Sequence, residues 1–138
     1  MESNKEIVRR FVEEIPNRGH VEAAGDFLHD DCVVHFPNMP DFVGLEEFKA
    51  LPELIRTAFP DVLETIEDLV AEGDKVVERF TLRATHQGDF MGAKPTGRPV
   101  TWTALAVYRL VDGKIKEIWV EGNFLSLALQ VGAVSRPG

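Results

Sequence analysis

Residues 100–123 read VTWTALAVYRLVDGKIKEIWVEGN. Two apolar-rich runs flank Asp112-Gly113. In the first run Val100, Trp102, Ala104, Ala106, Tyr108 and Leu110 fall on one face, the pattern of a half-buried strand. Asp-Gly between two such runs signals a tight hairpin, because both turn positions need positive φ. Ile115 to Asn123 is the return strand. Working backwards, Lys75 to His86 alternates as well. Phe80, Leu82, Ala84 and His86 share one face; Arg79, Thr81, Arg83 and Thr85 share the other. A turn rich in Gly and Pro, residues 88–99, joins this strand to the next. Val62 to Leu69 reads as strand-like or mixed, and Gly73-Asp74 as a turn.

The first half has a different period. Ile7, Val8, Phe11, Val12 and Ile15 recur at spacings of three and four, so one helical face is apolar. Asn4 is a candidate N-cap, and Pro16-Asn17-Arg18-Gly19 ends the helix. A short second helix is expected over His20–Leu28, broken by Asp30-Asp31. Cys32 to Phe36 reads as a strand. A third helix is expected over Leu45–Phe59, kinked or broken at Pro52. Phe124 to Val131 closes the chain as a short apolar segment ending at Gly132. Helices first and strands later argue for an α+β domain with a mostly antiparallel sheet. No linker or repeat interrupts it, so 1–138 is read as one domain.

Composition narrows the function. The 138 residues carry 23 acidic and 15 basic side chains, a net charge of −8. Such a surface repels phosphate backbones and anionic bilayers, which argues against nucleic-acid and membrane partners. One cysteine, Cys32, permits no internal disulfide and reads as a small core residue. The start has no basic-then-apolar signal and no stretch reaches a membrane span, so the cytoplasm is the expected compartment. His29, Asp30, Asp31 and His35 match no metal-ligand spacing, and neither a metal nor a cofactor is expected.

The chain resembles the SnoaL-like polyketide cyclases, within the nuclear transport factor two-like and ketosteroid isomerase-like superfamily. The resemblance runs from about Asn4 to Gly132. It rests on Val33-Val34-His35-Phe36-Pro37, Ala58-Phe59-Pro60-Asp61, Glu72 to Val77 and Thr85 to Gly92. It continues through Pro95 to Arg98, Asp112 to Ile115, Glu117-Ile118-Trp119 and Leu125 to Gly132. It implies a cone-shaped barrel of curved sheet with helices on its concave side, a homodimer, and an apolar pocket. It also implies ring closure by an intramolecular aldol reaction without cofactor. The family's acid/base aspartate lies four residues after the last-strand tryptophan. Here that position is Asn123, an amide that neither takes nor gives a proton at neutral pH.

If Asn123 faces the pocket, counting in twos places Glu121, Trp119, Glu117 and Ile115 there too. Periodicity alone equally allows Lys116, Ile118, Val120 and Gly122; the resemblance selects the first set. Glu121 is then the candidate general base, with a solvated rim position as its alternative. Asn123 and His86 are candidates to hold a substrate oxygen. Phe36, Phe80, Trp102, Tyr108 and Trp119 are candidate walls for an apolar ligand, or ordinary core; His35 is a candidate pocket-lining residue, or makes a simple strand-end hydrogen bond. Three functions fit: a cyclase- or isomerase-like enzyme on an apolar carbonyl compound, a non-catalytic carrier of such a ligand, and an epoxide-opening hydrolase. Arg79 and Arg83 face away from His86, which counts against the third.

Overall fold

The hairpin at Asp112-Gly113 organises the sheet. Both residues take positive φ, 52° and 80°, as the tight turn demands. In the computed structural model, which describes residues 2–135, this turn joins β5 (Pro99–Val111) to β6 (Lys114–Gly122). β3 (Leu63–Glu72) and β4 (Lys75–Thr85) extend the same antiparallel sheet. On the other side β6 pairs in parallel with β1 (Leu28–His35), which carries the two-residue β2 (Phe42–Val43) at its edge. The strand order is β2-β1-β6-β5-β4-β3. The result is a curved, open six-stranded sheet with helices against one face.

Helix α1 (Asn4–Val12) is capped by Ser3, not Asn4; the Ser3 hydroxyl accepts from the Glu6 backbone N–H. Its apolar stripe, Ile7, Val8, Phe11 and Val12, is buried. The helix then widens into one π-type turn over Glu13–Asn17. Arg56 latches that turn by donating from Nη2 to the carbonyls of Pro16 and Asn17, both at 2.7 Å. Arg56 comes from α2 (Leu45–Ala58), which stays helical through Pro52; the break expected there does not occur. The expected second helix is a 3-10 segment, Val21–Asp26. Strand β1 begins earlier than expected. Asp30 and Asp31 do not break it but occupy its exposed positions. Cys32 is buried core, and burial pushes its thiol pKa up, away from reactivity.

The inner face of the sheet holds Val76, Glu78, Phe80, Leu82, Ala84 and the even positions of β5 from Val100 to Leu110. The β5 face therefore follows the sequence pattern. The β6 face does not. A bulge between Arg109↔Glu117 and Leu110↔Ile115 leaves Lys116 as the extra residue. One inserted residue reverses the parity of everything after it. Ile115 points inward, but beyond the bulge Ile118, Val120 and Gly122 lie opposite Tyr108, Ala106 and Ala104. Glu117, Trp119 and Glu121 are therefore on the outer face, opposite Arg109, Val107 and Leu105.

Candidate functional site

The inner face is apolar apart from a few groups. Two aromatic clusters fill much of it: Phe11 with Phe27, Phe48 and Tyr108, and Phe59 with His86, Phe90 and Trp102. Phe80, Trp102, Tyr108 and His86 sit on this face, where the alternation of β4 and β5 placed them.

His86 is fully buried. Its Nδ1 accepts from the Thr96 backbone N–H at 3.3 Å and lies 3.1 Å from the Thr96 hydroxyl. An Nδ1 that accepts leaves the proton of the neutral ring on Nε2. That Nε2 has no hydrogen-bond partner among the described residues.

Four of the residues read as pocket groups are elsewhere. Glu121 is exposed on the outer face, opposite Leu105, so it does not share the face of His86. The bulge at Lys116 is the reason. The same shift carries Trp119 outward, where it stacks on His35 with ring centroids 5.5 Å apart. His35 is bound on both ring nitrogens, to Glu117 at 2.6 Å and Asp41 at 2.9 Å, and Arg109 donates to the other Glu117 oxygen at 3.1 Å. The two carboxylates raise the His35 pKa, with Glu117 the larger cause, and the His35 bond lowers that of Glu117. This network is an outer-face clamp between β1, β6 and β5. Asn123 is exposed just past the end of β6. Its side-chain oxygen accepts from the Ser126 N–H and caps α3 (Phe124–Val131). Phe36 is half-buried between Phe42 and Phe124.

The inner face also brings together groups that the sequence reading passed over. Glu78 is completely buried and accepts from the Tyr108 hydroxyl at 2.7 Å. The carboxyl of Glu64, from β3, lies close enough to affect its ionisation. Burial is the first cause that raises both carboxyl pKa values, and Glu64 is pushed up further by Glu78. Burial, then the two carboxylates, holds the Tyr108 phenol protonated. Glu64 is half-buried and Glu78 fully buried, and two carboxyls this close cannot both ionise cheaply, which favours one proton between them. Asn17 fixes Glu64 from the π-type turn: its amide donates to the Glu64 carbonyl at 2.9 Å and accepts from the Glu64 N–H at 2.7 Å. Parity could have found Glu78, since stepping back twice from Leu82 along the His86 face reaches it. Nothing local marks Glu64, because β3 carries its own bulge at Glu67.

Among the described residues no three His, Cys, Asp or Glu side chains converge as metal ligands, and no helix is long and apolar enough to cross a membrane.

A curved open six-stranded sheet with helices over its apolar face defines the α+β class of this fold. The chain belongs to the SnoaL-like polyketide cyclase family, whose profile matches residues 6–131. It is 29% identical over 136 residues to the aklanonic acid methyl ester cyclase DnrD of Streptomyces peucetius, covering 96% of this chain and 92% of that protein. The crystal structure of AclR from Streptomyces galilaeus, a candidate hydroxylase, superposes with a TM-score of 0.84 at 31% identity, over 97% of this chain and 83% of that one. IdmH of Streptomyces antibioticus, a candidate polyketide cyclase, gives 0.82 at 29% identity, over 95% and 99%.

Proposed function

We propose that this chain is a cofactor-independent acid–base catalyst that closes or isomerises a ring in an apolar carbonyl compound. Family membership supports the class, and the observation that carries the chemistry is the inner face: apolar walls interrupted by Glu64, Glu78, Tyr108 and His86. An intramolecular aldol step needs only proton transfer. A base takes a proton next to one carbonyl, the enolate carbon attacks a second carbonyl, and an acid protonates the new alkoxide. Groups with raised pKa values in an apolar setting suit both roles near neutral pH. His86 Nε2–H is a donor for a carbonyl oxygen.

DnrD is named as a cyclase of aklanonic acid methyl ester, and that ester is the first substrate to try. The expected outcome is a product of unchanged mass with one ketone fewer, formed faster than without protein. A second reading, a carrier without chemistry, is favoured by the amide at Asn123. Substrate bound with submicromolar affinity but recovered unchanged would establish that reading instead.

The protein acts as a homodimer through the outer sheet face. An apolar row crosses that face in register, Val70↔Val77↔Val107↔Trp119, and Leu105 beside it is 47% exposed.

A further inference from the structure

One groove reaches a proton-transfer group. It has a volume of about 430 Å³ and runs between α1 and β3. Arg9, Arg10, Glu13, Asn17, Glu64 and Ile66 line it. Arg10 is held in an ion pair by Glu2 and lies 5.2 Å over the Phe27 ring. Arg9 is exposed and has no carboxylate partner among the described residues. Behind Glu64, away from the groove, Glu78 is 0% exposed. Its Oε1 takes the Tyr108 hydroxyl, and its Oε2 meets no donor. That oxygen is satisfied only when one of the two carboxyls holds a proton. A buried acceptor without a donor is costly. The shared proton is therefore favoured by the packing itself.

We propose that Glu64 is the catalytic acid/base, that it meets an enolisable ketone or keto ester in the α1–β3 groove, and that Arg9 holds the enolate oxygen. Glu78 and Tyr108 are positioning residues. The proposal rests on the acid–base reading above and names its site. The step balances without any other reactant. Glu64 removes the proton on the carbon next to the carbonyl. The C–H electron pair becomes the C=C bond of the enolate, and the carbonyl π pair moves to oxygen beside Arg9. The enolate carbon bonds to a second carbonyl carbon of the same molecule, and the resulting alkoxide takes the proton back from Glu64. Product and substrate are isomers. Glu78 raises the pKa of Glu64, so that Glu64 can return a proton as well as take one, and Tyr108 keeps Glu78 in place.

The charged and titratable groups around Glu64 are Arg9, Arg10 and Glu13 from α1, Glu78 from β4 and Tyr108 from β5. The test is hydrogen–deuterium exchange at the carbon next to the carbonyl of α-tetralone in D2O, followed by NMR with the full chain. Ring closure of the keto ester is measured in parallel. The wild type is expected to accelerate exchange, and Glu64→Gln to lower that acceleration by about 10²–10⁴-fold. Glu78→Gln removes the neighbouring charge, so the acidic limb of the pH–rate profile moves to lower pH. A purely structural role for Glu78 would leave that limb in place. Arg9→Gln, at an exposed position that does not threaten folding, is expected to slow exchange at least tenfold. Exchange or ring closure that persists unchanged in Glu64→Gln overturns this site while leaving the acid–base reading intact. A wild type that accelerates neither reaction overturns both.

Discussion

Removing one oxygen from the Glu78 cluster tests whether it is stabilising or merely tolerated. Tyr108→Phe keeps the ring, so the packing against Phe11 and the core volume are unchanged. It deletes the donor that reaches Glu78 at 2.7 Å. Glu78 then has two buried oxygens and no fixed donor. Hydrogen bonds to charged groups are worth about 1.5–3 kcal/mol, and that is the expected loss in urea unfolding, with an unchanged m-value. For 138 residues, an unfolding entropy of about 2.1 cal/mol/K per residue converts this to a melting point lower by roughly 5–10 °C. The double variant Glu78→Met with Tyr108→Phe replaces the pair by apolar groups of similar volume. Such replacements are commonly neutral or stabilising, so most of the loss is expected to return. The coupling energy in the cycle should exceed about 1 kcal/mol. A neutral Tyr108→Phe, or a double variant that costs the sum of its parts, would refute the reasoning that this bond carries a desolvated carboxyl.

The raised pKa values of Glu64 and Glu78 mean that the folded chain keeps protons the unfolded chain has lost. Their contribution to stability is complete below the ordinary glutamate value of about 4.3 and falls as pH rises from there through the raised folded values; Glu78→Gln should flatten that decline in urea midpoints taken from pH 4 to 8. His35, whose pKa is also raised, adds a loss that starts only near its unperturbed value of about 6.5, and His35→Gln in the same titration separates the two. Sedimentation at micromolar concentration should give twice 15.4 kDa, and Val77→Asp with Leu105→Asp should give the monomer; a wild type that sediments as a monomer ends the dimer proposal. Asn123→Asp should leave the melting point within about 2 °C, because aspartate caps a helix as well as asparagine does, and it restores the carboxylate at the family's position. A ring-closure rate that it fails to raise would mean the position carries no chemistry in this chain.

How far the sequence could be read depended on where parity held. β4 and β5 are regular, so alternation placed Phe80, Trp102, Tyr108 and His86 on the inner face, and Asp112-Gly113 fixed the register of β5 against β6 at the turn. Three residues past that turn, Lys116 is inserted. Its ammonium pairs with Asp31 on the neighbouring strand at 2.6 Å, so it is held at the sheet surface. No local pattern distinguishes such an insertion from continued alternation, and Glu121 and Trp119 were assigned to the wrong face. Asp30-Asp31 misled for a related reason. Two adjacent aspartates read as a breaker, yet the irregular pairing between Leu28 and Val33 lets both point to solvent. Glu78 was legible by parity, but a carboxylate is ordinarily expected on the wet face. Only the packing shows that Tyr108 and Glu64 make its burial tolerable.

The two places where a carboxyl could act are not neighbours. Asn123 follows β6, tied to β5 by its N–H to the Thr103 carbonyl at 2.9 Å. Glu64 lies on β3, in register with Leu82 of β4, which pairs with Trp102 of β5. Three strand spacings of about 4.8 Å separate them, roughly 14 Å measured along the sheet. A base at one position cannot reach a proton held at the other, because proton transfer needs heavy atoms within about 3 Å. Asn123 also uses its side-chain oxygen to cap α3, and its exposure keeps it wet. Glu64 and Glu78 have the opposite setting: Glu78 is fully buried with Glu64 half-buried beside it, and a phenol that stays protonated backs them. Raised carboxyl pKa values require that setting, and in this chain it lies under α1 at the β3 edge.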